Sequence, residues 1–156
     1  MVAVTTIPTL RADFITTIKA ITPTHTERSS IGWNYVQDPD SIEAGAGLRV
    51  FSITFGAPTT EIDELGTWND GWSAVVAMRV WVSYQEVHTT LVEDLIEQDQ
   101  ADLFYALEAR INTLSGLLSV MDAEGSGVPP DFVVENDEET MVGYYDFSIR
   151  YYRRDS

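Results

Sequence analysis

The chain has 156 residues, 44% hydrophobic and 22% charged, with 25 acids against nine Lys plus Arg, no cysteine and a formal charge of −16. That length fits one domain with one core, and the composition excludes wholesale disorder, a collagenous repeat, a disulfide scaffold and thiolate metal or redox sites. So acidic a surface repels nucleic acid and anionic membrane over most of its area.

Met1 to Pro8 has neither a basic nor an apolar run, so no secretion signal is expected. Leu10, Phe14, Ile18 and Ile21 recur at helical spacing and predict an amphipathic helix over Leu10 to Thr22, with Thr9 as N-cap and Pro23 as its stop. A polar loop follows to Ser30. Ile31 to Val36 reads as a short strand, ending in the turn residues Asp38-Pro39-Asp40. Leu48 to Phe55 alternates Phe51, Ile53 and Phe55 with Ser52 and Thr54, the pattern of a half-buried strand. Gly56 to Gly71 is rich in turn formers and acids and predicts a long loop, a type of segment that often has a functional role. Ser73 to Val87 predicts a long strand, with Val76, Met78, Val80, Val82 and Tyr84 on one face and Val75, Ala77, Arg79 and Trp81 on the other. Apolar groups on both faces imply a central position or a second face covered by something else. The two strands are expected to pair as a hairpin with an extended tip.

Thr90 and Glu93 form a capping box at the start of a helical segment, whose apolar stripe runs through Leu91, Leu95, Leu103, Leu107, Ile111 and Leu114. Glu97-Gln98-Asp99-Gln100 interrupts that stripe, which leaves either one helix with a polar waist or two helices with Asp99 capping the second. Leu117 to Met121 reads as a short strand, and Ala123 to Asp131 as a Gly/Pro loop. Phe132 to Glu135 and Met141 to Tyr152 predict a closing hairpin around Asn136 to Glu139. The fold class expected is therefore α+β: a single domain over 1–156, a mostly antiparallel sheet with one long hairpin, and helices packed on one face.

The chemistry-bearing residues do not assemble into a recognisable motif. His25 and His88 lie outside any zinc-binding spacing and read as solvent-facing loop histidines. The acidic clusters Asp38/Asp40/Glu43, Glu61/Asp63/Glu64, Asp122/Glu124 and Asp137 to Glu139 read as solvated turns. No phosphate-binding glycine loop or nucleophile elbow is present, and the longest nearly apolar run, Ala74 to Val82, is far too short to span a membrane. No catalytic, cofactor-binding or metal-binding residue is expected. Two features admit an assembly role beside an ordinary structural one. Trp68 and Trp72 flank Asn69-Asp70-Gly71 at the end of the long loop, where aromatic side chains either fold back onto the sheet or anchor a protein partner. Arg150, Arg153 and Arg154 cluster at the C-terminus and suit either a soluble strand end or docking on an acidic neighbour, such as a second copy.

The amphipathic helix from Leu10 to Ile21, the strand Ala74 to Tyr84 behind a long hairpin tip, the acidic helix, and the aromatic closing strand Gly143 to Tyr152 together resemble the tail-terminator (tail-completion) proteins of long-tailed bacteriophages and phage-like particles. The resemblance is one of size and element order over nearly the whole chain; it contains no fixed motif. It implies a non-catalytic virion protein of the tail and neck, made in the cytoplasm of a bacterial host. Six copies would form a ring that caps the tail tube, ends its polymerisation and joins the tail to the head. Its partners would be itself, the tail tube protein and a head–tail connector protein, with DNA passing through the lumen without specific binding. Candidate assembly-interface residues on this reading are Glu61, Asp63, Glu64, Trp68, Trp72, Arg150, Arg153 and Arg154. Another neck or head–tail connector protein is the near alternative. A small hydrolase using two acidic residues, or a binding module anchored by Trp68 and Trp72, represents a different class; the hydrolase would require a concave pocket holding a carboxylate whose pKa is raised by burial.

Overall fold

The computed structural model describes residues 4–25, 32–44, 49–61, 72–84, 89–136 and 141–154. Their chain order is α1 (Ile7–Lys19), β1 (Trp33–Tyr35), a 3₁₀ turn (Pro39–Ala44), β2 (Arg49–Phe55), β3 (Thr59–Glu61), β4 (Trp72–Tyr84), α2 (Thr89–Glu108), a second 3₁₀ turn (Ala109–Asn112), β5 (Leu117–Asp122), β6 (Phe132–Asn136) and β7 (Met141–Arg154). This is an α+β fold on a mostly antiparallel seven-stranded sheet.

Two long strands form the centre. β4 and β7 pair antiparallel along their whole lengths, with Val76 opposite Ile149 and Val80 opposite Tyr145. The outer edge of β4 is shared by β2, opposite Met78 to Tyr84, and β3, opposite Ser73 to Val75. The outer edge of β7 is shared in the same way by β5 and β6. β1 closes the far side and runs parallel to β2, the one parallel pair among these strands.

The core lies between the sheet and the two helices. Leu10, Phe14 and Ile18 of α1 and Leu95, Leu103 and Leu107 of α2 meet Phe51, Val76, Met78, Val80, Phe147 and Ile149 from the sheet, all buried. Burying each such side chain contributes about 1.5–3 kcal/mol. Both faces of β4 behave as its periodicity predicts. Gly143 is required by a close approach: a Cβ there would lie 2.2 Å from the Val133 carbonyl oxygen and 2.4 Å from the Phe132 ring. That space lets Phe132 pack against Tyr84 and Tyr145.

Several expectations need correction. α1 starts earlier, because Thr6 rather than Thr9 is its N-cap: the Thr6 hydroxyl accepts from the Thr9 backbone N–H, and Pro8 occupies the first turn, where its missing N–H is harmless. The helix also stops at Lys19, before Pro23. Asp38-Pro39-Asp40 makes the turn expected of it, here the opening of a 3₁₀ turn, with the Asp38 carboxylate accepting from the Asp40 N–H at 3.0 Å. The predicted loop Gly56 to Gly71 contains β3, because the long β4 offers an edge beyond β2 on which the β-branched Thr59 and Thr60 can pair. Ser52 is buried rather than on a solvated face: its side of β2 lies under the first 3₁₀ turn, where Ile42 packs on Val50 and Val142. α2 already includes Thr89, so Thr90 is not its cap, and the polar waist is one continuous helix in which Asp99 is buried.

Candidate assembly surface

The register of the sheet brings together four of the eight residues singled out as an assembly interface. Glu61 ends β3 opposite Ser73, which is itself opposite Tyr152; Trp72 begins β4 opposite Arg154, next to a register shift. The backbones of Glu61, Trp72 and Arg154 therefore meet at one end of the sheet, with Arg153 between Tyr152 and Arg154. Arg153 reaches across to β3, its Nη1 donating to the Thr60 hydroxyl at 2.7 Å. Arg150 is exposed one turn of the pleat back from this end, opposite Val75 and Ser119. Asp63, Glu64 and Trp68 fall outside the described residues, as does His88. The same end is tied to residues near Thr5 and to the turn before β5: the Thr5 N–H donates to the Tyr152 carbonyl at 2.9 Å and the Tyr152 N–H donates to the Gly116 carbonyl at 2.8 Å.

The sheet face opposite the helices carries a preorganised polar and aromatic cluster. Arg79 and Asp146, neighbours on β4 and β7, form a two-pronged ion pair at 2.8 and 3.1 Å. The Arg79 guanidinium lies 3.5 Å from the Tyr144 ring centre and 5.1 Å from that of Trp81. The Trp81 indole N–H donates to the Thr54 hydroxyl at 3.0 Å. Half-exposed ion pairs contribute little to stability, but Trp, Tyr and Arg held in one orientation have the composition of interface hot spots. Beside the cluster, Thr54, Gly56, Ala77 and Ala123 line a shallow depression that Arg79, Trp81 and Asp146 border.

A second polar cluster lies inside the core, and nothing in the sequence pattern announced it. Arg49 Nε donates to Asp99 Oδ2 at 2.7 Å, with both side chains fully buried. The Tyr84 hydroxyl donates to the same carboxylate oxygen at 2.8 Å and lies 2.8 Å from the Tyr145 hydroxyl. The Tyr145 hydroxyl also has the Ile96 carbonyl oxygen as an acceptor, at 3.5 Å. Arg49 Nη2 donates to the His25 carbonyl oxygen, so the half-buried His25 is not the solvent-facing loop residue expected. Thr24 ties the same loop to α2, its N–H and hydroxyl donating to Asp102 at 2.8 and 2.7 Å.

Burial pushes the Asp99 carboxyl up to about 6, against the opposing pull of Arg49 and Tyr84, and burial likewise pushes both phenols well above their usual value. A raised carboxylate beside two phenols has the makings of a proton relay. However, the depressions lined by the described residues, on the open sheet face and along α1, do not reach Asp99. What the cluster does in this geometry is fasten the waist of α2 to β2, β4 and β7.

Among the described residues no group of three or more His, Asp or Glu is arranged to hold a metal ion, and no helix is long and apolar enough to cross a membrane. No protein-family model matches the chain, and no curated protein is significantly similar to it.

Proposed function

We propose that this protein is a structural subunit of a phage-like tail, forming a ring that caps the tail tube, ends tube growth and joins the tail to the head. The reading rests first on the resemblance in element order described above. The structural observation that supports it best is the meeting of Glu61 and Trp72, on the two strands that flank residues 62–71, with Arg153 and Arg154 of β7 at one end of the sheet. These are residues that the sequence offered for an interface, and β7 brings its two arginines to the β3–β4 end from far along the chain. A tip built from β3, β4 and β7 rests on the two longest strands of the sheet, and rigid elements hold an interface better than loops do.

The test is direct. Purified protein is examined by light scattering and negative-stain imaging, alone and with polymerising tail-tube protein. Discrete annuli, or tubes of limited length capped at one end, are the expected outcome. A monomer that leaves tube length unregulated at every ratio overturns the proposal.

A further inference from the structure

The sheet ends on both sides in strands without the usual protection. On one side the outermost strand is β1, beyond β2; on the other, β6 lies beyond β7. Among the described residues no strand pairs with the outer edge of either. Edge strands in soluble proteins are commonly guarded by charged side chains, because their unpaired backbone groups invite another strand. Here Trp33, Asn34 and Tyr35 of β1 and Phe132, Val133 and Val134 of β6 are all uncharged, in a chain with 25 acids. Glu135 is the one charged residue in the two strands. Of the six large apolar side chains exposed among the described residues, Met121, Val128, Val133 and Val134 belong to β5, β6 or the loop between them. Val133 and Val134 are 45% and 42% exposed, and as neighbours in a strand they point to opposite faces, so the edge of β6 is apolar on both.

The two edges also match in direction and in height. β1 is parallel to β2 and so runs against β4, whereas β6 runs with β4, both being antiparallel to β7. A second copy set beside the first in the same orientation therefore brings β1 antiparallel to β6. Both strands stand at the same rows of the sheet: Tyr35 leads through Phe51, Val82 and Gly143 to Val134. Neighbouring copies need no large shift along the strands, and a head-to-tail contact without climb closes as a ring instead of growing as a filament. At the other end of the sheet the strand outside β4 is β3, one position further in than β1. With strands about 4.8 Å apart, β3 of one copy and β5 of the next remain about 10 Å apart. The contact therefore leaves the β3–β4 tip open.

We infer that β1 of one copy pairs antiparallel with β6 of the next, so that the sheet continues from subunit to subunit. The inference rests on the reading of the protein as a self-assembling subunit and names the edges that join. A second copy is the occupant because the chain itself supplies, on its opposite edge, a strand of the right direction, height and lack of charge. Main-chain hydrogen bonds give such a contact its affinity, and the side chains on either face give it specificity. Val133 and Val134 supply those side chains and lose their exposure in the contact. Each copy offers β1 to one neighbour and β6 to the other, so the contact is heterologous.

Guarding the edge with charge tests this. Val133→Lys combined with Val134→Lys alters two exposed positions, so circular dichroism and the thermal midpoint should match those of the wild type. Self-association, read by sedimentation velocity, should fall at least tenfold. The absence of cysteine from the chain allows a covalent readout as well. Asn34 is exposed and shares a sheet face with Val133, through Val50 and Ser52 on β2, Trp81 and Tyr144. Asn34→Cys combined with Val133→Cys, treated with a short bismaleimide, should give a ladder of covalent multimers, whereas either cysteine alone stops at dimers. That ladder keeps the inference testable if the lysine variant misfolds. A folded lysine variant that associates like the wild type, or a double-cysteine variant that yields nothing beyond dimers, overturns the contact while leaving the ring reading intact. Loss of tube capping by the lysine variant with self-association unchanged assigns β6 to the tube protein and also overturns it. A wild-type chain that stays monomeric with or without tube protein overturns both.

Discussion

Asp99 is the most consequential single residue in the described structure. It is held by Arg49 and Tyr84 in a site with no exposure to water. A buried ion pair is costly to break from one side, because the surviving charge is left uncompensated. Asp99→Ala is therefore expected to lose about 3–5 kcal/mol in urea denaturation, whereas Arg49→Met combined with Asp99→Leu should recover much of that loss. The sign of the pH dependence follows from burial. A carboxyl raised to about 6 in the folded state, against an ordinary value of 3.8, holds its proton more tightly when folded. Its contribution to stability is complete below about 3.8 and is lost as pH rises through about 6. Wild type should thus gain up to about 3 kcal/mol relative to Asp99→Asn between pH 7 and pH 4, measured by denaturation at a series of pH values. No local pattern reveals this pair. Its members stand 50 residues apart, Arg49 at the start of a strand and Asp99 in a polar waist, in a chain where 25 acids make any one of them unremarkable.

At the scale of elements, periodicity was informative wherever one face was apolar. The stripe of α1, the two faces of β4 and the alternation of β7 are all legible from spacing alone, and Phe51 and Phe147 take the buried positions their patterns assign. Each of Phe51→Ala and Phe147→Ala should cost about 3–5 kcal/mol, read as a lower urea midpoint. What spacing could not show was cover arriving from elsewhere. Ser52 reads as solvated until the 3₁₀ turn at Pro39–Ala44 is folded over it, and Thr59 and Thr60 read as loop until the free edge of β4 is known. Gly143 is a similar case, a glycine in a strand whose reason is the Phe132 ring on the next strand. Gly143→Ala should displace that ring and cost about 1–3 kcal/mol, visible in thermal unfolding and in the near-ultraviolet signal of the aromatic cluster.

At the scale of the whole molecule, the assembly reading predicts a separation of stability from function. Replacing Glu61, Asp63 and Glu64 by alanine should change unfolding free energy by no more than about 0.5 kcal/mol while lowering tube capping, scored as tube length in negative stain. Unaltered capping by that triple variant would remove the β3–β4 tip from the interface. The candidate site was legible as a set of residue types, aromatics and arginines in an acidic chain, but their convergence was not, because it depends on a long-range strand register. That same register has a kinetic consequence. Arg79 and Asp146, partners across the middle of the sheet, are separated by 67 positions, so the central pairing must wait until β7 has left the ribosome. Folding dominated by such distant pairings belongs to the slow, millisecond-to-second class. Until β7 arrives, β4 is a long apolar strand with an open edge, and aggregation during synthesis, rather than instability of the finished domain, is where its yield should be most sensitive to temperature and expression rate.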